Sequence, residues 1–286
     1  MTDVLYQYDG TFSGFLCCVF ESYVHKEFPI AFSIDEECLS LYPVRVVVTQ
    51  RTHSQRVYTA LERLSGTALK TLRRAWLTCL EDKELRLYAF VRKLFDQGPG
   101  FMHSRADDTF YPIACALRHM NGELEKLRGF VRFSDYNGVW GGEIEPKNRV
   151  LPLFAPHFCS RMADQSFFLY DRTHHELLLY ARGQRRIVTV DQLQLALPDR
   201  QELQYRALWK QFFESVSIRE RCNPRCQNGF LPKRYRGVMT EFLPLEHERL
   251  SRPAASADLP APGAPAGIPA PARPPGSEPI GPGSAP

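Results

Sequence analysis

Basic residues that could contact phosphate are concentrated in one C-terminal segment, Gln204–Arg236. Eight Arg and Lys side chains stand there against two glutamates, which leaves a local charge of +6, whereas the whole chain carries +4. Cations bind nucleic acid by displacing condensed counterions, amides donate to phosphate oxygens, and a ring such as Tyr235 can stack on an exposed base. The alternative is an ordinary solvated helix face, with Trp209, Phe212 and Phe213 in the core. The predicted nucleic-acid-binding residues are Arg219, Arg221, Asn223, Lys233, Arg234 and Tyr235.

A second set of residues could line a catalytic pocket for a nucleic acid or a nucleotide. In "HFCSR", His157 and Arg161 are four positions apart, so on a helix they share a face and can bind a phosphate or orient a water molecule. Asp171 stands in the turn of "LYDRTHH", and Asp9 follows the first strand in "YDGTF". Each Asp also has a simpler interpretation as a turn or helix-capping residue. The catalytic candidates are Tyr8, Asp9, His157, Arg161 and Asp171.

Motifs of several enzyme classes are absent from the sequence. It contains no G-x-x-x-x-G-K-[ST] phosphate-binding loop, no G-x-S-x-G nucleophile elbow and no H-x-E with P-C-x-x-C of a zinc deaminase. Cys222 and Cys226 of "CNPRC" have ligand-like spacing, but no second pair follows to complete a zinc or iron–sulfur site. We therefore expect neither a metal nor another cofactor.

Composition predicts one folded domain followed by a tail. Of the 286 residues, 44% are hydrophobic, which suffices for a sizeable core. Since no apolar run reaches about 18 residues and the N-terminal sequence lacks the features of a secretory signal, we expect a cytoplasmic protein without a membrane span. Residues 251–286 hold 11 of the 22 prolines and little aliphatic bulk. We predict a single domain over residues 1–250 and a disordered Pro/Ala/Gly-rich tail over residues 251–286.

Apolar periodicity predicts the elements that position these candidates. "TDVLYQYD" indicates a strand that ends in an Asp9-Gly10 turn, and Thr11 can cap the helix that follows. "RVVVTQ" indicates a buried strand, and hairpins are predicted around Asn137-Gly138 and around "DRTHH". Helices are predicted over about residues 53–80 with a break near Ser65-Gly66, 85–95, 107–127, within "LFAPHFCSRM", and 201–220. The fold class is therefore α+β, with a helical half, an antiparallel sheet built from hairpins, and C-terminal helices.

Four motifs resemble a bacterial family described as DNA-metabolism or DNA-repair proteins. They are "YDGTFSGFLCCVFESY", "HFCSR", "FFLYDRTHHELLLY" and "LWKQFFESVSIRERCNPRCQNGFLPKRYRGVMTEF". The resemblance covers about residues 3–245, although Arg236 stands where the family typically has an aromatic residue after "KRY". It implies similarity to the domain N-terminal to some uracil-DNA-glycosylase-like proteins, and association with a companion radical S-adenosylmethionine (SAM) protein. Because the glycosylase motifs and the C-x₃-C-x₂-C cluster motif are absent, neither catalytic activity is carried over to this chain.

These observations predict an accessory protein of DNA repair or DNA metabolism. It would bind DNA, or a DNA-repair enzyme, through the basic C-terminal helical region. One alternative is an enzyme acting on nucleic acid or a nucleotide, which requires the catalytic candidates to converge on one cavity. Another is a protein-interaction scaffold for the radical-SAM companion, which predicts a contiguous apolar patch at the "KRY" surface rather than a cationic groove.

Overall fold

The computed structural model describes residues 3–35, 40–104, 106–191, 193, 195, 198–218, 221 and 223–243. The predicted tail, Arg219 and Cys222 lie outside these residues. The helices and strands are β1 (Asp3–Gln7), α1 (Phe12–Val24), β2 (Phe28–Ser33), β3 (Val44–Val46), α2 (Arg51–Leu64), α3 (Gly66–Ala75), α4 (Lys83–Gln97), α5 (Phe110–Phe130), β4 (Phe133–Tyr136), β5 (Val139–Ile144), α6 (Leu151–Arg161), β6 (Phe167–Asp171), β7 (Glu176–Ala181), β8 (Gln184–Thr189), α7 (Arg200–Ser215) and α8 (Pro224–Phe230). Short 3₁₀ helices cover Pro99–His103, Lys233–Val238 and Thr240–Phe242. The fold class is α+β, as the sequence predicts.

The N-terminal half contains a three-stranded parallel sheet in the order β2-β1-β3. Val4, Leu5 and Tyr6 of the central strand β1 are all buried. Because successive side chains of a strand point to opposite faces, both faces of β1 are covered by the surrounding chain. Helix α1 connects β1 to its parallel neighbour β2, as such a pair requires.

Local capping sets the helix boundaries in this half. Thr11 Oγ1 accepts a hydrogen bond from the backbone N of Gly14 over 2.9 Å, which confirms the predicted start of α1. The break between α2 and α3 lies at Ser65, whose extended backbone ends α2. Its hydroxyl then accepts from the backbone N of Ala68 over 3.1 Å and starts α3. The helices pack into one core with the parallel sheet.

The predicted strand "RVVVTQ" is wrong in extent and in burial. The strand β3 covers only Val44–Val46 and lies at the edge of its sheet. Val46 is 67% exposed and Val48 is 69% exposed, whereas Val47 is buried. A run of valines favours extended backbone, but it does not reveal whether the strand has a neighbour on each side.

The second half contains a five-stranded sheet in the order β4-β5-β6-β7-β8. Asn137 and Gly138 connect β4 to β5 with positive φ of 55° and 88°, the backbone of a type I′ hairpin turn. The predicted hairpin around "DRTHH" is formed by β6 and β7. Strand β8, which was not predicted, pairs with β7 at the edge.

This sheet is mixed rather than wholly antiparallel, because β5 and β6 run parallel. Helix α6 lies between them in the chain, and such a crossover returns the chain to the same end of the sheet. Side chains of α6 and the sheet form a second core with residues of α5. Among the residues that the structure describes, no helix combines the length and apolar character that crossing a bilayer requires.

Candidate nucleic-acid interface

A buried glutamate of α5 ties the C-terminal "PKRYR" motif to the domain. Glu123 is 2% exposed, and its carboxylate accepts from the backbone N of Lys147 over 3.0 Å and from that of Asn148 over 2.9 Å. The Asn148 amide donates to it over 2.6 Å. Arg234 Nη2 donates over 3.0 Å, and the Tyr235 hydroxyl donates over 3.2 Å. One carboxylate therefore holds an internal loop and the C-terminal segment together.

The Glu123 carboxylate is stabilised in its charged form. Burial by itself raises the pKa of such a group, but the hydrogen bonds from Lys147 and Asn148 and the Arg234 charge outweigh it. The net effect lowers the pKa of Glu123 below its ordinary value. Arg234 therefore faces a permanent negative charge near neutral pH, and its own charge is largely compensated.

The placement of Tyr235 contradicts the prediction that it stacks on a base. The side chain is 0% exposed, and its ring lies 5.4 Å from that of Phe130. Burial raises the pKa of its hydroxyl. In the 3₁₀ turn Lys233–Val238 the exposed Lys233 and the buried Tyr235 are close in sequence, and the sequence does not show which one faces the core.

The other predicted binding residues of this segment have mixed surroundings. Arg221 and Lys233 are exposed, as phosphate contact requires. Asn223 is also exposed, but its Oδ1 accepts from the backbone N of Cys226 over 3.0 Å and caps α8. Arg219 lies outside the described residues. The exposed Arg225 of α8 adds a cation that was not among the predicted binding residues.

Two further arginines of the basic segment are engaged in contacts within the protein. Arg206 donates from Nε to Glu202 over 2.8 Å. Arg236 donates to Asn228 over 3.0 Å and lies over the ring of Phe242. The charge of +6 counted in the sequence therefore overstates what this segment offers to a ligand.

Two of the catalytic candidates lie near the first strand and have structural partners. The Tyr8 ring is buried in the N-terminal core, and its hydroxyl donates to Glu84 over 3.1 Å. Asp9 accepts from the backbone N and the hydroxyl of Thr11 over 2.9 and 2.8 Å, and from the hydroxyl of Thr49 over 2.8 Å. Burial opposes the charged form, but these hydrogen bonds outweigh it and lower the pKa of Asp9. The carboxylate braces the start of α1.

The third candidate carboxylate, Asp171, organises its own turn. It is 0% exposed and accepts from the backbone N of Thr173 over 3.0 Å and from that of His174 over 3.1 Å. The His174 ring lies 2.7 Å from its second oxygen. This is the turn-forming role that an Asp commonly has at such a position.

The remaining two candidates lie on α6. The half-buried His157 ring packs 5.0 Å from that of Phe158, and Arg161 is exposed at the helix end. Among the described residues, no hydrogen bond joins any two of the five candidates, and no group of three or more His, Cys, Asp and Glu side chains is placed to hold a metal. The contacts thus give Tyr8, Asp9 and Asp171 structural roles.

A second basic surface, on α2 and α3, was missed by the sequence analysis. Six cations stand between Arg51 and Trp76 against one acidic residue, Glu62, which leaves a local charge of +5. In the described part of the chain, none of the six forms an ion pair with a carboxylate. The density of cations was visible in the sequence, but they resembled the polar faces of two ordinary amphipathic helices. The six cations, here called the α2–α3 cations, are Arg51, Arg56, Arg63, Lys70, Arg73 and Arg74.

Three of these cations line a cavity of about 520 Å³ between α3 and α6. Lys70 and Arg73 are exposed at its rim, and Arg74 donates to Asn121 of α5 over 2.5 Å. The remaining lining residues are Phe12, Trp76, Leu77, Pro152 and Leu153. This α3–α6 cleft therefore combines an apolar wall with a cationic rim.

The wall of the cleft is rigidly packed. The Trp76 ring lies 5.6 Å from that of Phe12, and the Lys83 ammonium lies over Trp76 at 4.7 Å from the ring centroid. Burial lowers the pKa of Lys83. A cleft of this volume is in the range of small-ligand sites, and its chemistry suits an anion that carries a flat apolar group.

The other three α2–α3 cations lie on one face of α2. Arg51, Arg56 and Arg63 border a groove of about 730 Å³ together with polar side chains of the same helix. The groove and the cleft thus use different cations from two consecutive helices, and together they account for all six.

A family model described as a domain of unknown function, DUF4130, matches residues 81–241 of the chain. The match includes Glu123, Arg234 and Tyr235, whereas α2 and α3 precede it. No curated protein matches the chain. Because the match spans more than half of the 286 residues, the chain belongs to the DUF4130 family.

Proposed function

We propose that the protein is a DNA-binding accessory protein of DNA repair or DNA metabolism. The observation that carries this proposal is the set of α2–α3 cations, which have no carboxylate partner among the described residues. Arg56 lies over the Phe20 ring and Arg74 donates to Asn121. The other four cations are exposed and can each neutralise a phosphate, and the release of counterions then drives binding. The resemblance of the sequence motifs to DNA-metabolism proteins supports DNA as the polyanion.

The α2–α3 cations and the C-terminal cations have different parts in this proposal. Arg206 and Arg234 are paired with Glu202 and Glu123, so they gain little by approaching a phosphate. The exposed Arg221, Arg225 and Lys233 remain as secondary contacts. In the α3–α6 cleft, Lys70 and Arg73 contact the backbone of a strand whose unpaired base rests on the apolar wall.

The resemblance also suggests a protein partner. A companion radical-SAM protein, or a glycosylase-like repair enzyme, would act on DNA that this protein holds. Co-purification of the full chain with the companion, with and without nuclease treatment, tests this part. Association that persists after nuclease treatment supports a direct contact, and complete loss indicates that DNA alone connects the two proteins.

The DNA-binding proposal is tested by fluorescence anisotropy with labelled single- and double-stranded oligonucleotides. The variant Lys70→Ala/Arg73→Ala removes the rim of the α3–α6 cleft. The control Arg128→Ala/Arg172→Ala removes two exposed cations that are paired with Glu125 and Glu145.

We expect the cleft variant to bind about tenfold more weakly or worse at low salt, because two phosphate contacts are lost. The control should change affinity less than about threefold. Equal losses in both variants, or no binding by the wild type, would refute the proposed interface.

A further inference from the structure

Helix α7 is held to the domain along one side only. Glu202 is its buried residue; its carboxylate accepts from Arg206 of the same helix and from the backbone N of Asp135 over 3.2 Å. Further along the helix, the Phe213 ring meets that of Phe242 at 5.4 Å, edge to face. These contacts anchor α7, but they cover only part of its apolar surface.

The uncovered surface is a row of six large apolar side chains, here called the α7 stripe. Their exposed fractions range from 39% to 60%. The sequence interpretation that placed Trp209, Phe212 and Phe213 in the core is therefore contradicted. The α7 stripe consists of Tyr205, Leu208, Trp209, Phe212, Phe213 and Val216.

The α7 stripe is as large as the largest apolar patch of a typical monomer. A large aromatic side chain presents roughly 150–250 Å², so six half-exposed side chains present on the order of 600 Å². Monomeric proteins rarely expose more than about that in one contiguous patch. A stable protein interface buries about 800 Å² on each partner. The stripe and a polar margin around it match the area that one side of such an interface needs.

One margin of the stripe is uncharged, whereas cations border the other. Gln201, Gln204, Gln211 and Ser215 are all exposed and border one side of it on α7, whereas on the other side Arg132 lies over Trp209 at 5.7 Å from the ring centroid. The uncharged margin offers no cation to the phosphates of a nucleic acid. Two copies of this chain, in contrast, can bring these uncharged margins together without repulsion between like charges there.

The spacing of the stripe also suits a second copy. The intervals between its six positions are three, one, three, one and three, and they are the same in either direction along the chain. In an antiparallel pair about a two-fold axis, each apolar side chain therefore faces an apolar side chain. Tyr205 faces Val216 of the second copy, and Trp209 faces Phe212 of the second copy.

We propose that the protein forms a two-fold symmetric dimer in which the α7 stripes of two copies pack antiparallel. Two-fold dimers are the commonest closed assemblies, and their interfaces are self-complementary. The inference is independent of DNA binding. If the purified full chain dimerises without DNA or another protein, the second copy and not a different partner covers the α7 stripe.

Sedimentation equilibrium of the full chain without DNA tests the dimer, and two variants test its register. Tyr205→Glu and Val216→Lys each place one charge opposite an apolar residue of the second copy. Each variant alone should dimerise at least 100-fold more weakly than the wild type. In an equimolar mixture the new Glu and Lys face each other, so a heterodimer should form again.

The control variants Gln204→Glu and Gln211→Lys change the charge beside the stripe and should leave the dimer intact. Circular dichroism checks that each variant is folded, which we expect because Tyr205 and Val216 are 60% and 57% exposed. A wild type that stays monomeric at roughly 100 micromolar, a concentration at which even a weak dimer is populated, overturns the proposal. Variants that remain monomeric on mixing overturn the antiparallel register.

Discussion

Arg234 donates from Nη2 to Oε1 of Glu123 over 3.0 Å, although 111 positions of the chain separate the two residues. The ion pair joins the most specific motif of the C-terminal segment to the middle of α5. With the Tyr235 hydroxyl on the same carboxylate oxygen, it forms a clamp that fixes the end of the domain. The motif that resembled a DNA-contacting surface is thus, in large part, a structural element.

Glu123→Gln should destabilise the protein by about 2–4 kcal/mol at pH 7, because it leaves Arg234 without its counter-charge and weakens several hydrogen bonds. Urea unfolding followed by circular dichroism measures this. Glu125→Gln, which affects only an exposed pair with Arg128, is the control and should change stability by about 0.5 kcal/mol or less.

The stability difference between the wild type and Glu123→Gln should also depend on pH. The pKa of Glu123 is lowered in the folded protein, so its stabilising effect is complete above the unfolded value of about 4.3. It is lost as the pH falls through the lowered folded pKa. The difference between the wild type and Glu123→Gln should therefore narrow in acid. A difference that stays constant down to pH 3 would show that the carboxylate charge is not what stabilises the clamp.

Tyr235→Phe should cost about 1 kcal/mol, because it removes a buried hydroxyl that donates to Glu123 over 3.2 Å. Tyr111→Phe, at an exposed position of α5, serves as the control and should be nearly neutral. Thermal unfolding compares the two. If Tyr235→Phe were as neutral as the control, the contact of the hydroxyl with Glu123 would not stabilise the clamp.

Gly14→Ala should destabilise the protein even though alanine is the better helix former. A Cβ at this position would lie 2.8 Å from Thr49 Oγ1 and 2.9 Å from Tyr8 Cδ2, and such overpacking costs about 1–3 kcal/mol. Gly122→Ala in α5 is the matched control, since nothing lies within 4 Å of its added Cβ.

The helix-propensity gain, about 1 kcal/mol, should therefore stabilise the Gly122→Ala variant and be outweighed in the Gly14→Ala variant. Chemical denaturation of both variants shows whether each substitution raises or lowers the free energy of unfolding. Stabilisation of both variants would show that the start of α1 can relax around the new methyl group, and that Asp9 and Thr49 do not brace it.

Features of the fold that are specified locally could be predicted from the sequence. Thr11 caps α1, and Asn137-Gly138 forms a hairpin turn, because each depends on residues within a few positions. The parallel pairing of β5 and β6 could not be predicted, since it depends on where α6 packs after the hairpin. Burial of β3 was mispredicted for a related reason: the valines do not encode their position at a sheet edge.

In the candidate site, too, the local composition could be predicted from the sequence and the tertiary contacts could not. A count of charges in the sequence found a basic C-terminal segment, but it could not show that Arg234 is paired with a glutamate 111 positions away. The α2–α3 cations were countable too, yet their lack of a carboxylate partner is a tertiary property. The exposed α7 stripe has the periodicity of a core helix, so only the structure shows it to be uncovered.

The salt dependence of DNA binding tests the central claim most directly. The logarithm of the affinity of the wild type and of Lys70→Ala/Arg73→Ala is measured against the logarithm of salt concentration, with Arg128→Ala/Arg172→Ala as the control. The slope should fall by about 1.4 for single-stranded DNA in the cleft variant, since each lost phosphate contact contributes about 0.7. The control should keep the wild-type slope. An unchanged slope in the cleft variant would contradict the assignment of phosphate contacts to the α3–α6 cleft.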